Sequence, residues 1–505
     1  SSAGRAGTTC TCRSPPAAMI YSHLDIRINP ARGEDEDMPR RIPRRPPVAL
    51  RLLPLLAVIG LSGCGGETDV SLGDHLRPGQ AAGYNVLLVT LDTVRQDHLG
   101  CYGRAEARTP TLDALAAAGV QFHDAVASAP LTLPSHATLL TGQSPHTHGV
   151  RDNGLYALGE TPTTLAEDLR DAGYATAAFV SAFVLDARYG LDRGFDVYDF
   201  AVGAGGGRPE MAEFNERPAD ETTSAALAWL GRQTATAPDT PVFAWVHYFD
   251  PHRPWTSPLG GSPAFRGRGY DAEIAFVDRE FGRLVRWLDV NGLRERTVIV
   301  VTADHGESLG EHGEEAHGLF IYNSTMKVPL ILDCPSLISG HLDVHRPVVG
   351  LVDLRDTIGD LLGVPPTAPT DGLSLLGPLP ADRRIYMETE SPRNTAGCSP
   401  LYGLQSHDEK YIRAPRSEYY DLRADPGELA DLYAERTERA DELDAALERL
   451  MSGESAEAGR QLSEEEIARL RSLGYVHGRG RPSGDLPDPK DVVRAFHQGM
   501  EAESL

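Results

Sequence analysis

Residues 85–91 read NVLLVTL and run directly into Asp92. The run is almost continuously apolar and carries β-branched side chains. That is the mark of a strand buried on both faces of a sheet. A carboxylate ending such a strand stands where open α/β sheets bind ligands, outside the carboxyl edge. The same Asp92 would also serve as a plain helix cap.

The pattern repeats downstream. The stretch TPTLDALAAAGVQF (109–122) predicts a helix that opens at Thr109-Pro110 and closes at Gly119. TPTTLAEDLRDAGY (161–174) predicts a second helix, and ATAAFV (175–180) a strand. VFAWVHYF (242–249) and TVIVVTA (297–303) are two more buried strands. Alternation over roughly 300 residues predicts an α/β fold with a doubly wound, largely parallel central sheet flanked by helices. No internal repeat is visible.

From residue 381 the pattern shortens. RRIYMETE, HDEKYIRAP and SEYYDLRADPGE are polar and strand-like, and predict a small C-terminal antiparallel α+β subdomain. RADELDAALERLM has helical spacing at Leu443, Leu447 and Leu450. LSEEEIARLRSLGYV predicts a further helix with Ser463 and Glu466 as a capping box.

Composition narrows the function. The chain has 505 residues, with 48 Lys and Arg against 72 Asp and Glu, a formal charge of −24. A nucleic-acid binder would need a basic face, so no nucleic-acid partner is expected. The six cysteines show no zinc-module spacing. Cys101, Cys334 and Cys398 leave room for one disulfide without choosing it.

Residues 38–64 read MPRRIPRRPPVALRLLPLLAVIGLSGC. A basic flank, a short apolar run and a small-residue cysteine site make a secretory signal. Leu61-Ser62-Gly63-Cys64 resembles a bacterial lipobox, which implies lipidation of Cys64 and an exported, membrane-anchored protein in the cell envelope. Residues 1–37 are expected to lie upstream of a start at Met38. Residues 64–83, polar and rich in glycine, read as a tether.

Three stretches carry chemistry. The first is Asp92. The second is TADHGE (302–307), where Asp304 and His305 follow a strand and Gly306 allows a sharp turn. A carboxylate and an imidazole there suit one divalent ion, Mn²⁺, Zn²⁺, Mg²⁺ or Ca²⁺. The third is PLTLPSHATLLTG (130–142), which predicts a helix with Pro134 in its first turn and Gly142 at its end. Thr132 then stands at a helix N-terminus, where amides and the macrodipole favour negative charge. A capping threonine would look the same. Metal held by Asp92, Asp304 and His305 and bridged to Thr132 would lower the hydroxyl's pKa.

Six ordered motifs resemble the sulfatase family of the alkaline phosphatase superfamily: LDTVRQDHLGCYG, PLTLPSHATLLTG, HGVRDNG, HYFDPHRPW, TADHGESLGEHG and EYYDLRADPGE. The resemblance implies that Asp92, Asp304 and His305 bind the metal and that Thr132 is the nucleophile. It implies that Asn153 touches a substrate oxygen and that His252 and His317 serve the leaving group. His136 stands where the family has an arginine. Implied partners are sulfated or phosphorylated small molecules, glycans or lipids. The implied layout is a signal peptide at 38–63, a tether at 64–83, a catalytic domain at 84–380, a subdomain at 381–435 and a helical tail and linker at 436–505.

Departures from the family bear on the reaction. The family's nucleophile is cysteine or serine oxidised to formylglycine, and threonine is not a substrate for that conversion, so no formylglycine is expected. Thr93 replaces the second aspartate of the first metal motif. FVSAFVLDARYGLDRGFD stands where the family has a Gly-Lys-Trp-His-Leu-Gly segment. Ser128 lies at the wrong distance from Leu140-Thr141-Gly142 to be the nucleophile. One acid, one threonine and an Asp-His pair resemble the metal set of lipoteichoic acid synthases and phosphoethanolamine transferases. An unmodified threonine implies attack on phosphorus, and the family name implies sulfate. The alternatives are a phosphodiesterase or phosphotransferase on envelope polymers or lipids, and an inactive protein that retains the metal.

Overall fold

The computed structural model describes residues 71–200, 217–452 and 485–493. The signal segment, Cys64 and the helix expected around Ser463 and Glu466 lie outside these.

The strands of the main sheet are β1 (Asn85–Leu91), β2 (Val120–Val126), β3 (Ala175–Phe179), β4 (Val197–Asp199), β5 (Val242–Tyr248), β6 (Thr297–Ala303), β7 (Lys327–Asp333), β8 (Leu342–Val344) and β9 (Val349–Gly350). Their order is β4-β3-β5-β1-β6-β7-β2-β8, with β9 also paired to β2. Among the described strands of this sheet, β7 alone runs antiparallel to its neighbours. The helices are α1 (Pro110–Ala118), α2 (Thr132–Thr141), α3 (Pro145–His148), α4 (Leu165–Asp171), α5 (Ala219–Thr236), α6 (Gly269–Val290), α7 (Asn323–Met326), α8 (Leu354–Leu362) and α9 (Thr437–Met451). The expected α/β class, with a mostly parallel sheet flanked by helices, is the observed one.

β1 and β6 are buried almost throughout, as their continuous apolar runs require. Each fully buried Val, Leu or Ile contributes ~1.5–3 kcal/mol. α1 begins and ends where Thr109-Pro110 and Gly119 predicted. Thr164 and Glu167 cap α4 reciprocally, the side chain of each accepting from the other's backbone amide.

A second, antiparallel sheet contains β10 (Ile385–Thr389), β11 (Leu401–Gln405), β12 (Glu409–Arg413) and β13 (Glu418–Asp421), in that order. Its outer face carries Tyr386, Leu404, Tyr411 and Tyr419, which pack on Ala440, Leu443 and Leu447 of α9. The first turns of the expected tail therefore belong to the subdomain. Leu450, given the same stripe by spacing, is 45% exposed in the last turn.

Residues 71–83 are not a tether. Leu72, Leu76 and Ala81 are buried in the main core, and the Gly79 and Ala81 amides donate to Asp360 and Leu361 carbonyls of α8. Three apolar side chains spaced through a polar segment suffice to dock it. Cys101, Cys334 and Cys398 are all free thiols, so the disulfide left open by the sequence does not form among them.

Candidate active site

β5, β1 and β6 are adjacent and parallel, so their carboxyl ends share one edge. The register pairs Leu91 with Ala303. The next residues, Asp92 and Asp304, therefore leave neighbouring strands side by side. Thr93 follows with a φ of 57°, a region that costs a β-branched residue about 1–3 kcal/mol. Two bonds hold it there. Its amide donates to Asp304 Oδ1 at 3.2 Å, and the Tyr270 hydroxyl donates to its carbonyl at 2.6 Å.

The His305 amide also donates to Asp304 Oδ1, at 2.8 Å. Two amides thus occupy Oδ1 and leave Oδ2 for another partner. His305 Nδ1 lies 2.9 Å from the Gly306 carbonyl, which assigns the proton to Nδ1 and the lone pair to Nε2. Gly306 is needed for close approach, since a Cβ there would stand 2.2 Å from the Ser324 carbonyl oxygen.

One ligand atom each from Asp92, Asp304 and His305 falls within a 4.8 Å span, and all three residues are buried. Both Asp92 oxygens, Asp304 Oδ2 and His305 Nε2 have no hydrogen-bond partner among the protein's own atoms. Buried charges are stable only when paired or bound to metal. A divalent ion fits this donor set.

Thr132 is the first residue of α2, and Pro134 sits in the first turn. The Thr132 hydroxyl is buried and makes no hydrogen bond of good geometry, though it lies near enough to favour the charged form of Asp92. The amide cradle expected at this terminus is reduced. The Leu133 amide donates to Asn153 Oδ1 at 2.9 Å, Pro134 has none, and the Ser135 amide donates to the Leu131 carbonyl. The dipole remains. Asn153 Nδ2 is buried without an acceptor.

His136 contacts the Thr132 carbonyl through Nδ1 at 2.7 Å and Thr90 Oγ1 through Nε2 at 3.0 Å. Both ring nitrogens are thus engaged by protein atoms. His252 contacts its neighbour's carbonyl through Nδ1, and its ring lies 5.0 Å from that of His317. The His317 ring is 4.5 Å from that of His305. Every site residue expected from sequence is therefore found in this one neighbourhood.

Two more residues belong to it. His247 reaches Asp92 Oδ2 at 3.3 Å through Nε2 and shares a ligand-spaced cluster with His136 and Asp304. Glu307 Oε1 lies 3.1 Å from His317 Nδ1, while Oε2 is buried without a partner. His247 is a buried residue of the apolar strand β5. The signal for it was its register opposite Thr90, two residues before Asp92.

Burial dominates the electrostatics. It pushes Asp92 up to about 6 and Glu307 up to about 7. Asp304 also rises, from burial and from Asp92 beside it. Burial lowers His136 to about 3 and His247 to about 4, and holds His317 well below the usual imidazole range. Burial thus favours the neutral form of His136, His247 and His317.

The Sulfatase family model matches residues 84–364. An ulvan-active sulfatase from Formosa agariphila is 26% identical, over 79% of this chain and 86% of its own length. An arylsulfatase from Clostridium perfringens is 23% identical, over 73% and 94%. Among solved structures, BT4656 in complex with D-glucosamine-2-N,6-O-disulfate superposes with a TM-score of 0.62 at 21% identity, covering 74% of this chain and 97% of that one. The phosphonate monoester hydrolase of Agrobacterium radiobacter superposes at 0.58 with 23% identity, covering 73% and 95%. These superpositions carry the fold. The family match spans more than half of the chain, and with it the protein belongs to the sulfatase family of the alkaline phosphatase superfamily, a family of ester hydrolases that generally use a divalent metal.

Proposed function

We propose that the protein cleaves a sulfate or phosphate ester in a metal-dependent reaction, with the Thr132 hydroxyl as nucleophile. One observation supports this above the rest. The unpartnered oxygens of Asp92, Asp304 and Thr132 and the free Nε2 of His305 are all buried at one sheet edge.

Asp92, Asp304 and His305 would hold the ion, which when bound supplies Lewis-acid polarisation of an ester oxygen. His247 stands close enough to Asp92 to orient it. Thr132, its hydroxyl proton lost to solvent and its ionised oxygen favoured by the α2 dipole, attacks the central atom as the bond to the alcohol oxygen breaks. Asn153 accepts the Leu133 amide, which fixes its side chain and leaves Nδ2 to donate to a substrate oxygen. His136 acts on the nucleophile's backbone and not on substrate. A protonated Glu307, donating to His317 Nδ1, leaves an Nε2 proton for the departing alcohol oxygen. Water then releases the covalent intermediate on Thr132.

A second reading is favoured by Thr132 itself. An unmodified threonine ester of phosphate can be hydrolysed or passed to an alcohol, whereas a sulfate ester lacks the hemiacetal exit that formylglycine provides. A phosphodiesterase or phosphotransferase acting on envelope polymers or lipids fits that residue. Sulfated glycans are the class that the first reading favours. The lipobox-like site supports export to the cell envelope and anchoring through Cys64.

The test is turnover of an aryl sulfate, an aryl phosphate monoester and an aryl phosphodiester by residues 65–505 with Mn²⁺ or Ca²⁺. Thr132→Ala is the blank. Sulfate turnover lost in the variant supports the first reading, and phosphoester turnover lost in it supports the second. A variant that turns over all three like the native chain removes Thr132 as nucleophile. A native chain that binds metal and turns over none is the inactive, metal-retaining protein.

A further inference from the structure

Residues 341–345 read HLDVH and span the edge strand β8 with one residue on either side. Side chains alternate along a strand, so His341, Asp343 and His345 face the same way. β8 runs parallel to β2, with Gln121 beside Asp343 and Phe122 beside Val344. The next pair in that register is His123 and His345, and their rings stack with centroids 4.2 Å apart. β2 also shifts register against β7 between Phe122 and Ala125. His123 therefore sits in a bulge, the device that re-aims a side chain.

The contacts within the group are short. His123 Nε2 lies 2.6 Å from Asp343 Oδ1, and His341 Nε2 lies 2.8 Å from Oδ2. His341 Nδ1 lies 2.7 Å from the Ala116 carbonyl. The His341 ring thus bridges that carbonyl and the carboxylate, and Asp343 is flanked by an imidazole on each side. One ligand atom each from His123, Asp343 and His345 lies within a 4.8 Å span. Ligand atoms on one tetrahedral ion with bonds of ~2.0–2.2 Å lie about 3.4 Å apart, so rotation of these part-exposed side chains closes the site.

We infer that His123, Asp343 and His345 form a second, peripheral site for a divalent transition-metal ion, with His341 orienting the carboxylate. Two imidazoles and one carboxylate select Zn²⁺, Co²⁺, Ni²⁺ or Cu²⁺ over Ca²⁺ and Mg²⁺. The His123 and Asp343 side chains are 30% and 40% exposed, which admits the ion and water to complete its shell. The site shares no residue with the Asp92, Asp304 and His305 group. Its ion would tie the three-residue edge strand β8 to β2, its one strand neighbour among the described residues.

The experiment counts zinc bound per chain after Zn²⁺ loading and gel filtration. It compares the native protein, Asp304→Ala, and the His123→Ala/His345→Ala pair. Co²⁺ absorption on Asp304→Ala serves as the spectroscopic readout. The native protein should hold one equivalent more than the His123→Ala/His345→Ala pair. Asp304→Ala should retain an equivalent and give visible d–d bands that adding His345→Gln removes. Ester turnover should be unchanged in the pair. His345→Gln alone covers the case in which the pair misfolds, and it too should lose the equivalent. Equal zinc in the native protein and a folded peripheral-site variant would overturn the inference. So would an Asp304→Ala chain that binds no zinc or cobalt.

Discussion

The Leu133 amide donates to Asn153 Oδ1 at 2.9 Å, which turns the other end of the same amide, Nδ2, into a buried donor without a protein acceptor. One side chain thus anchors the start of α2 and offers a proton beside the nucleophile. Asn153→Asp keeps the acceptor for Leu133 and replaces the donor with a negative charge. It should keep the anchor of α2 and lose less stability than Asn153→Ala, while kcat/KM falls about 10²–10³-fold, the loss typical of a deleted oxyanion donor. Asn153→Ala should lose activity and also about 1–3 kcal/mol of stability, because the buried Leu133 amide then has no partner. Denaturant melts beside rate assays separate the two effects. Equal loss of stability in both variants would refute the division of labour.

Asp92 and Asp304 emerge side by side from paired strands, both buried, with burial raising the pKa of each. Without an ion they oppose folding. Asp92→Asn/Asp304→Asn should therefore raise the Tm of the metal-stripped chain by on the order of 1–4 °C. The native chain should instead gain about 2.7 kcal/mol when a divalent ion is added at a hundred times its Kd, and the double variant should gain far less. The comparison uses Mn²⁺ or Ca²⁺, which the peripheral histidine group disfavours. A double variant less stable than the stripped native chain would mean that these carboxylates are structural.

The long apolar strands β1, β5 and β6 were legible because burial on both faces leaves a continuous run. The acidic ends of β1 and β6 were legible as ligands for the same reason, since a charge ending an apolar strand is conspicuous. What could not be read was pairing at a distance. Asp92 and Asp304 stand more than two hundred residues apart, and only register makes them neighbours. His247 meets Asp92 only through the pairing of β5 with β1, which neither strand shows alone. β11 was missed because LYGLQ is short and interrupted by Gly403, whose lack of a side chain lets Tyr411 approach from β12. Segment 71–83 was read as a tether because polar residues outnumber the three apolar ones that dock it.

Lys410 on β12 and Glu428 form an ion pair at 2.8 Å in which both side chains are essentially inaccessible. Glu428 Oε2 also accepts the Asn323 amide at 2.6 Å, which links the second sheet to α7. Removing one partner leaves a buried charge, and Lys410→Met should cost about 3–5 kcal/mol. Lys410→Met/Glu428→Gln removes both charges and keeps an acceptor for Asn323, so it should recover most of that loss. Urea melts of the three chains test the order. A double variant as unstable as the single one would show that lost packing around Lys410, and not a stranded carboxylate, sets the cost.

Cys101 is partly exposed, yet its thiol is pushed up to about 12, first by burial and then by the Asp113 carboxylate. Asp113 is fixed beside it, since Oδ1 accepts the Cys101 amide at 2.7 Å. A raised pKa means less thiolate at any given pH. Near pH 8 about one thiol in ten thousand is ionised, against roughly a quarter for a free cysteine, so alkylation should be about a thousandfold slower than for a cysteine peptide. The rate should keep rising with pH up to about 12, where an ordinary thiol would already have levelled off. Asp113→Asn keeps the acceptor and removes the charge, and should label several-fold faster at pH 8 with unchanged circular dichroism. Iodoacetamide labelling followed by peptide mass spectrometry resolves Cys101 from Cys334 and Cys398. A rate in Asp113→Asn equal to the native one would leave burial alone as the cause.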